Sequence, residues 1–373
     1  MLKKIVGILI ILLVLASGVG FVAADELDVE PMTERAKILE VEYVEENQKE
    51  DVTFLKYYQV KLEILSGEYK GRIFDITHVL TDSPAYDIIV EPGDKVLVGI
   101  EELEGGSIEV YISEYLRDSY VLGLAVFFIL LLIVVGRLKG LKTVITLALT
   151  VLLVLKVILP GLLMGYNPIL LVVVVSFVIT IMTIVVVGGF NMKSLAAIIG
   201  ILGGVLSAGL IAFIIGTKVR LTGLSSQEAM MLLYIPQGIK FNFSDLLFAG
   251  IILGALGAVM DVGMSIASAI EEIKTVNPHL TSKQLIISGM NVGRDIMGTM
   301  ANTLILAYTG SSIPLLLVFT AYDEPFIKII NLDLIATQVV RSLAGSIGLI
   351  LTIPLTAVAA GLLAKYSKKK SVE

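Results

Sequence analysis

The feature that most constrains the fold is a series of apolar runs that begins at Tyr120 and continues almost to the C-terminus. Each run is bounded by charged or turn residues and is near the length of about 20 residues that a helix needs to cross roughly 30 Å of hydrocarbon. In lipid, the backbone polar groups of such runs are satisfied only in helices or closed barrels. The sequence therefore predicts about seven transmembrane helices, at 120–136, 143–163, 168–188, 194–216, 246–270, 296–320 and 338–363.

The composition agrees with a membrane protein and excludes several classes of soluble protein. Hydrophobic residues make up 56% of the 373 residues and charged residues only 17%, and the mean hydropathy is +0.91. Cysteine is absent, which excludes disulfides, thiolate metal sites and cysteine nucleophiles. The two histidines, His78 and His279, are far apart in the sequence and do not indicate a zinc cluster. We therefore expect no cofactor, and the sequence assigns no metal.

The first 24 residues have the pattern of a secretory signal. Lys3 and Lys4 precede an apolar run that extends to about Leu15, and small residues end the segment at Ala24. This order of charged, apolar and small residues directs the following chain across a membrane. The segment 1–24 is either a signal peptide cleaved after Ala24 or an uncleaved anchor, because its apolar run is nearly long enough to stay in a bilayer. In both cases the chain that follows starts on the outer side.

Residues 25–117 show a different pattern, in which apolar and polar residues alternate. The segments 37–41, 57–64, 72–76 and 95–100 have this period of two, which is typical of strands with one buried face. About five short antiparallel strands predict a small extracytoplasmic barrel or sandwich, and we favour an OB-like barrel. The segment contains 23 Asp and Glu against nine Lys and Arg, and this acidity excludes nucleic acid as a partner, because phosphate backbones are bound through clustered positive charge.

Positive charge indicates the orientation of the membrane domain, which we place at residues 118–364. If residues 25–117 are extracytoplasmic, the loops on the inner side and a basic tail at 365–373 hold eleven Lys and Arg. Inner loops of membrane proteins carry such an excess. We therefore expect a multi-pass protein of the cell membrane with a cytoplasmic C-terminus. The eleven residues are Arg137, Lys139, Lys142, Lys193, Lys274, Lys283, Arg294, Lys365, Lys368, Lys369 and Lys370.

The candidate functional residue is Asp261, a carboxylate in the interior of the fifth apolar run. An ionised Asp at the centre of a membrane helix costs about 2.5–3.5 kcal/mol, so it normally faces protein or water. Two interpretations remain: Asp261 binds a proton or cation on a transport path, or it is neutral and hydrogen-bonded within a helix contact. At helical spacing its face contains small residues expected to pack against other helices, followed by polar ones: Gly250, Gly254, Gly257, Ser265, Ser268 and Glu272.

A second set of polar residues opens the sixth run, where Asp295, Thr299 and Asn302 share a face directly after Arg294. Three cations in membrane runs are candidate partners of Asp261, namely Lys156, Arg294 and Arg341. Asp261 lies in the inner half of its run, and this depth favours Arg294.

Farther along the sixth run, residues 309–314 interrupt the apolar pattern, either as a broken helix that lines a cavity or as a simple proline kink.

Two motifs resemble a known family. Residues 254–268 read GALGAVMDVGMSIAS and residues 293–304 read GRDIMGTMANTL, and both are similar to segments of the YibE/F family of bacterial multi-pass membrane proteins. The resemblance covers most of the chain and implies the architecture and membrane location more than an activity. A weaker similarity of the segment 261–272 to the acid-bearing helix of SecD/SecF export factors implies coupling to protons.

These observations favour a transporter or permease component over an enzyme. In this hypothesis Asp261 binds a proton or cation, Arg294 and Asp295 tune it, and an unknown small solute or ion is moved across the bilayer. No phosphate-binding loop, nucleophile elbow or metallohydrolase motif appears in the chain. The alternative is a membrane scaffold or export factor that transports nothing and whose β-domain binds a secreted or membrane protein.

Overall fold

The computed structural model describes residues 32–48, 54–81, 83, 85–102, 106–235 and 241–366. The predicted signal segment 1–24 and most of the basic tail, residues 367–373, lie outside the described residues. The chain forms two compact units. The N-terminal unit ends at Leu131, and the C-terminal unit begins at Leu132.

The N-terminal unit is built on an antiparallel sheet with the strand order β3-β2-β1-β4-β5. Its residues alternate between the two faces, and the buried face packs Ile38, Leu62 and Val98 into an apolar core. The side chain of Arg35 on the first strand pairs with Asp118 at 2.6 Å. The strands are β1 (Met32–Gln48), β2 (Phe54–Ile64), β3 (Ile73–Leu80), β4 (Lys95–Glu102) and β5 (Ile108–Tyr115).

The sheet is curled into a half-barrel, which corrects the prediction of a barrel or OB-like domain. Register shifts interrupt β1 between Ile38 and Glu40 and again between Tyr43 and Glu45. Such bulges add local twist, which bends the sheet. The edge strands β3 and β5 approach each other but are not hydrogen-bonded neighbours within the described residues. The alternation of the sequence therefore predicted the strands but not whether the sheet closes.

The rest of the described chain is helical. Its helices are α1 (Asp118–Leu153), continued through a π-helical turn (Val154–Ile158) into α2 (Leu159–Leu163), then α3 (Pro168–Gly188), α4 (Met192–Lys218), the short α5 (Gln227–Met231), α6 (Phe243–Val276), α7 (Ser282–Ser311), α8 (Ile313–Ala321), α9 (Phe326–Ile330) and α10 (Asp333–Leu363).

The predicted number of seven spans is not confirmed. Among the described residues, five helical stretches are long and apolar enough to cross a membrane, and the first of them, Asp118–Leu163, runs over 46 residues. The pair α7 and α8, bent by 61°, makes a sixth if it is one span. The predicted spans 120–136 and 143–163 are joined because helical structure continues on both sides of a break at a single residue, Arg137 (φ 49°, ψ −128°).

The centre of the helical unit is formed by α4, α6 and α10. Small residues allow α4 and α10 to approach closely. A Cβ at Gly200 or Gly204 would lie less than 3.0 Å from heavy atoms of α10, and Cβ atoms in proteins essentially never come so close to other atoms. The side chains opposite are Thr356 and Thr352 on α10. Close backbone approach through small residues is a common source of helix association in membranes.

Candidate functional site

The helix α6 exposes a strip of small and acidic residues. Between Phe243 and Lys274 every residue is buried or partly buried except six. Before its last residue, Val276, this helix exposes no large apolar side chain. The six exposed residues all belong to the predicted face, whose remaining member, Ser268, is partly buried: Gly250, Gly254, Gly257, Asp261, Ser265 and Glu272.

The neighbouring spans present a different surface. The exposed positions of α4 include Leu206, Leu210 and Phe213, and those of α10 include Leu351 and Leu355. Such side chains suit contact with lipid tails, whereas glycines and carboxylates do not. The strip on α6 is therefore chemically distinct from the lipid-facing surface of α4 and α10.

The helix α7 adds a second polar strip next to the first. It runs antiparallel to α6, since Ile270 lies against Gly289, Ile266 lies near Gly293, and the Tyr308 hydroxyl lies 3.1 Å from where a Cβ at Gly254 would be. This register places Asp261 at the depth of the α7 residues between 293 and 308. The exposed residues of this strip are Asn291, Arg294, Asp295, Gly298, Thr299, Asn302 and Thr303, and beyond them α7 exposes the apolar residues Ile305, Leu306 and Ala307.

We call the exposed residues of these two strips the polar face. Within the described residues, Asp261 has no hydrogen bond or ion pair. Arg294, the favoured partner, instead donates from Nη1 to Asn291 Oδ1 at 3.0 Å. The carboxylate is thus held in a polar surface at membrane depth without a counter-charge among the described residues.

The glycines of the polar face are free of contacts in the described part of the chain. A Cβ at Gly250 or Gly257 would meet no atom within 4 Å, and one at Gly254 would meet only the Tyr308 hydroxyl. The close packing of α6 uses other glycines, such as Gly263 against Ile201 of α4. A role of Gly250, Gly254, Gly257 and Ser265 in contacts with other helices stays a prediction.

At one end of α6, the neighbouring acidic residues Glu271 and Glu272 have different surroundings. Glu271 pairs with Lys193 at the start of α4, with Nζ and Oε2 3.1 Å apart. Glu272 is exposed on the polar face and has no ion pair or side-chain hydrogen bond among the described residues. In the described part of the chain, no group of three or more His, Cys, Asp or Glu residues could hold a metal ion.

Near the other end of α6 lies a feature that the sequence did not resolve. The guanidinium carbon of Arg341 on α10 lies 5.9 Å from the centre of the Tyr308 ring. Tyr308 also lines a cavity of about 250 Å³ beside the break between α7 and α8, together with Thr309, Ser312 and Gln338. The interruption at residues 309–314 is therefore a real break that borders a cavity. We call this space the Tyr308 cavity.

Tyr308 and Arg341 are 33 positions apart, and only the packing of α7 on α10 brings them together. The signal in the sequence was the presence of Gln338 and Arg341 one turn apart in an apolar run. At helical spacing they occupy neighbouring positions, so this pair marked one side of α10 as polar. The aromatic partner had no such signal.

Comparison with known proteins agrees with the resemblance in the two motifs. The model of the YibE/F-like protein family matches residues 124–366, and the model of the YibE/F family N-terminal domain matches residues 32–115. Neither a curated protein nor a solved structure matches the chain. Because the two matches span both the sheet and the helices, the chain belongs to the YibE/F family, whose membership fits an integral membrane protein with several apolar helices.

Proposed function

We propose that the chain is a transporter or permease component in which the polar face forms part of a path for a proton or small cation. The observation that carries this proposal is the exposed strip of α6, which holds only Gly, Ser, Asp and Glu over about six turns. A helix surface of this composition is costly against lipid tails. It is suited to a water-filled path, in which Asp261 would exchange a proton or cation.

The residues around Asp261 support this role. Asp295, Thr299 and Asn302 provide oxygen atoms on the neighbouring strip, and oxygen ligands suit both protons and hard cations. Glu272 extends the acidic path toward one end of α6. Arg294 lies at about the depth of Ser265, where its charge would oppose cation entry or attract a nearby carboxylate. The proposal assigns no catalytic step to the chain.

We further propose that the chain crosses the membrane seven times. A Cβ at Gly140 would meet the backbone of Leu132, although residues eight apart in a straight helix are about 12 Å apart. The chain therefore folds back at Arg137, and the 46-residue stretch is better divided into two crossings. With an odd number of crossings and the inner positive charge, the β-domain is extracytoplasmic and the C-terminus cytoplasmic, as in a protein of the cell membrane.

Cysteine accessibility tests this topology, because the chain has no native cysteine. Single variants Tyr86→Cys, Tyr166→Cys and His279→Cys place a thiol at exposed positions. We expect a membrane-impermeant maleimide to label positions 86 and 166 from the same side of the membrane and position 279 from the other. Labelling of 86 and 166 from opposite sides would mean that Asp118–Leu163 crosses once.

Proton and cation flux in proteoliposomes tests the transport proposal. We expect Asp261→Asn to reduce flux to the background of empty vesicles, because the amide keeps the shape but has no titratable charge. The matched control is Glu271→Gln, which removes one carboxylate from the same helix but away from the polar face. The control is expected to keep flux within about twofold, since the partly buried Lys193–Glu271 pair lies at the helix end and outside the polar face.

The alternative function gives a different result in the same variants. If the chain is a scaffold whose polar face packs against another protein and whose β-domain binds a partner, Asp261→Asn lowers protein abundance or partner capture instead. Absence of flux in wild-type vesicles that contain folded protein would favour the scaffold. Equal flux in the wild type and Asp261→Asn would exclude this carboxylate as the coupling group.

A further inference from the structure

We propose that Arg341, Tyr308 and Gln338 form a binding site for a small organic oxyanion, namely a carboxylate or phosphate attached to an apolar body. The site lies at the edge of the Tyr308 cavity, near the N-terminal ends of α6 and α10. That this anion is a transported substrate rests on the proposed function. Binding of the anion does not rest on it, so binding and transport can be tested separately.

The first argument is the charge of Arg341. This residue lies eight positions into α10, or about 12 Å from its first residue, and its Nε atom is buried without a hydrogen-bond partner among the described residues. An arginine does not become neutral in a protein. The residue as a whole is only partly buried, but an arginine within a membrane-spanning run normally pairs with an opposite charge or with backbone carbonyls. Among the described residues Arg341 has no ion pair, and its guanidinium contacts the ring of Tyr308.

The acidic residue of the polar face is too far away to be that counter-ion. Gly345 of α10 lies against Ala255 of α6, where a Cβ would be 3.7 Å from the alanine Cβ. Because the two helices are parallel, Arg341 is at about the depth of Ile251. Asp261 is ten residues deeper, or about 15 Å, which is well beyond the reach of an ion pair.

The second argument is the cavity beside this charge. The Tyr308 cavity has a polar wall formed by Tyr308, Thr309, Ser312, Gln338 and Ser342, and its remaining lining is apolar. Arg341 does not itself line the cavity and borders it through its contact with Tyr308. Of the Gln338 amide, only the NH₂ group can donate to an anion, since its Oε1 atom is an acceptor. Hydroxyl and amide groups can donate to an oxyanion, while the guanidinium fork matches carboxylate and phosphate geometry. The apolar lining accommodates the rest of the ligand.

The size of the cavity limits the ligand. Its volume of about 250 Å³ is below the roughly 300–1,000 Å³ that holds drug-sized molecules. The site therefore suits a small organic acid, or the acidic headgroup of a lipid that reaches in from the bilayer. Tyr308 links the site to the polar face, because its hydroxyl lies beside Gly254. An anion at Arg341 would thus sit at one end of the path that contains Asp261.

Equilibrium binding of radiolabelled benzoate to the full-length protein tests the proposal. The protein is reconstituted in nanodiscs of phosphatidylcholine, with and without phosphatidylglycerol. We expect saturable benzoate binding in phosphatidylcholine and an increase in Kd of at least about tenfold in Arg341→Gln, from the loss of a charge-assisted contact. Arg341→Lys is expected to retain part of the affinity. The matched control Lys156→Gln, which removes a positive charge from another membrane helix, is expected to keep the wild-type Kd.

The two sources of the anion give different results. If a lipid headgroup fills the site, phosphatidylglycerol displaces benzoate and is retained by the wild type but not by Arg341→Gln. If the wild type binds neither benzoate nor phosphatidylglycerol, or if Arg341→Gln binds as well as the wild type, the proposal is wrong. If benzoate binds and flux is the same in the wild type and Asp261→Asn, the anion site stands and Asp261 is rejected as the coupling group. Loss of flux in Asp261→Asn, together with no anion binding by the wild type, would keep the transport proposal and reject the anion site.

Discussion

Replacing Gly204 with valine is expected to lower the apparent melting temperature of the detergent-solubilised protein by roughly 5–10 °C, the effect of overpacking a closely fitted contact. The position has no space for a side chain. A Cβ there would lie 2.8 Å from the carbonyl oxygen of Gly348 and would overlap the Thr352 side chain. Rotation of Thr352 could relieve the second clash but not the first, because Gly348 contributes backbone.

The contact contains a hydrogen bond, but this bond lies within α10 and does not join the two helices. Thr352 is fully buried and donates its hydroxyl hydrogen to Gly348 O at 2.8 Å. If α4 and α10 moved apart to admit a larger residue, this hydrogen bond would remain, but the packing around it would be lost. Apolar packing rather than the hydrophobic effect drives helix association within lipid. The expected loss is therefore one of packing.

The matched control is Gly257→Ala. A Cβ at Gly257 meets no atom within 4 Å in the described residues, and alanine favours the helix by about 1 kcal/mol over glycine. The melting temperature of this variant is expected to stay equal to that of the wild type or to rise slightly. Melting temperatures are compared by loss of monodisperse protein after heating. Equal melting temperatures of Gly204→Val and the wild type would show that α4 and α10 are not in close contact.

The sequence predicted which residues share a face better than it predicted what that face contacts. Spacing alone identified Gly250, Gly254, Gly257, Asp261 and Ser265 as one side of a helix, because the helical period fixes this. It gave no information on whether neighbouring helices cover that side. Contact is a tertiary property that depends on the order and tilt of several helices.

The same reason explains the other differences. Alternation predicted strands in residues 25–117, but closure depends on bulges in β1 that no local pattern revealed. The close pair Gly204 and Thr352 lies 148 positions apart, so its complementarity could not be read from either helix alone. The break at Arg137 was expected as a loop at 137–142, because three positive charges lie there. The structure limits the non-helical backbone to one residue.

The open glycines of the polar face permit a direct test of its role. Gly257→Trp is expected to abolish flux in proteoliposomes while leaving the melting temperature and abundance near those of the wild type. Position 257 is one turn from Asp261, and the exposed strip offers space for the indole in the described structure. A bulky ring there would displace water and ions from around the carboxylate, which removes the route by which a proton or cation reaches it.

The control is the same substitution at Gly123 of α1. That residue is also exposed and has no atom within 4 Å of its Cβ position, but its neighbours Val121, Leu122 and Leu124 are apolar and exposed. A tryptophan at position 123 would therefore lie among lipid-facing side chains, where it is well tolerated. Flux in Gly123→Trp is expected to match the wild type. If Gly257→Trp instead reduces abundance while Gly123→Trp does not, the polar face is a packing surface for another protein, because an open path would admit the ring without unfolding.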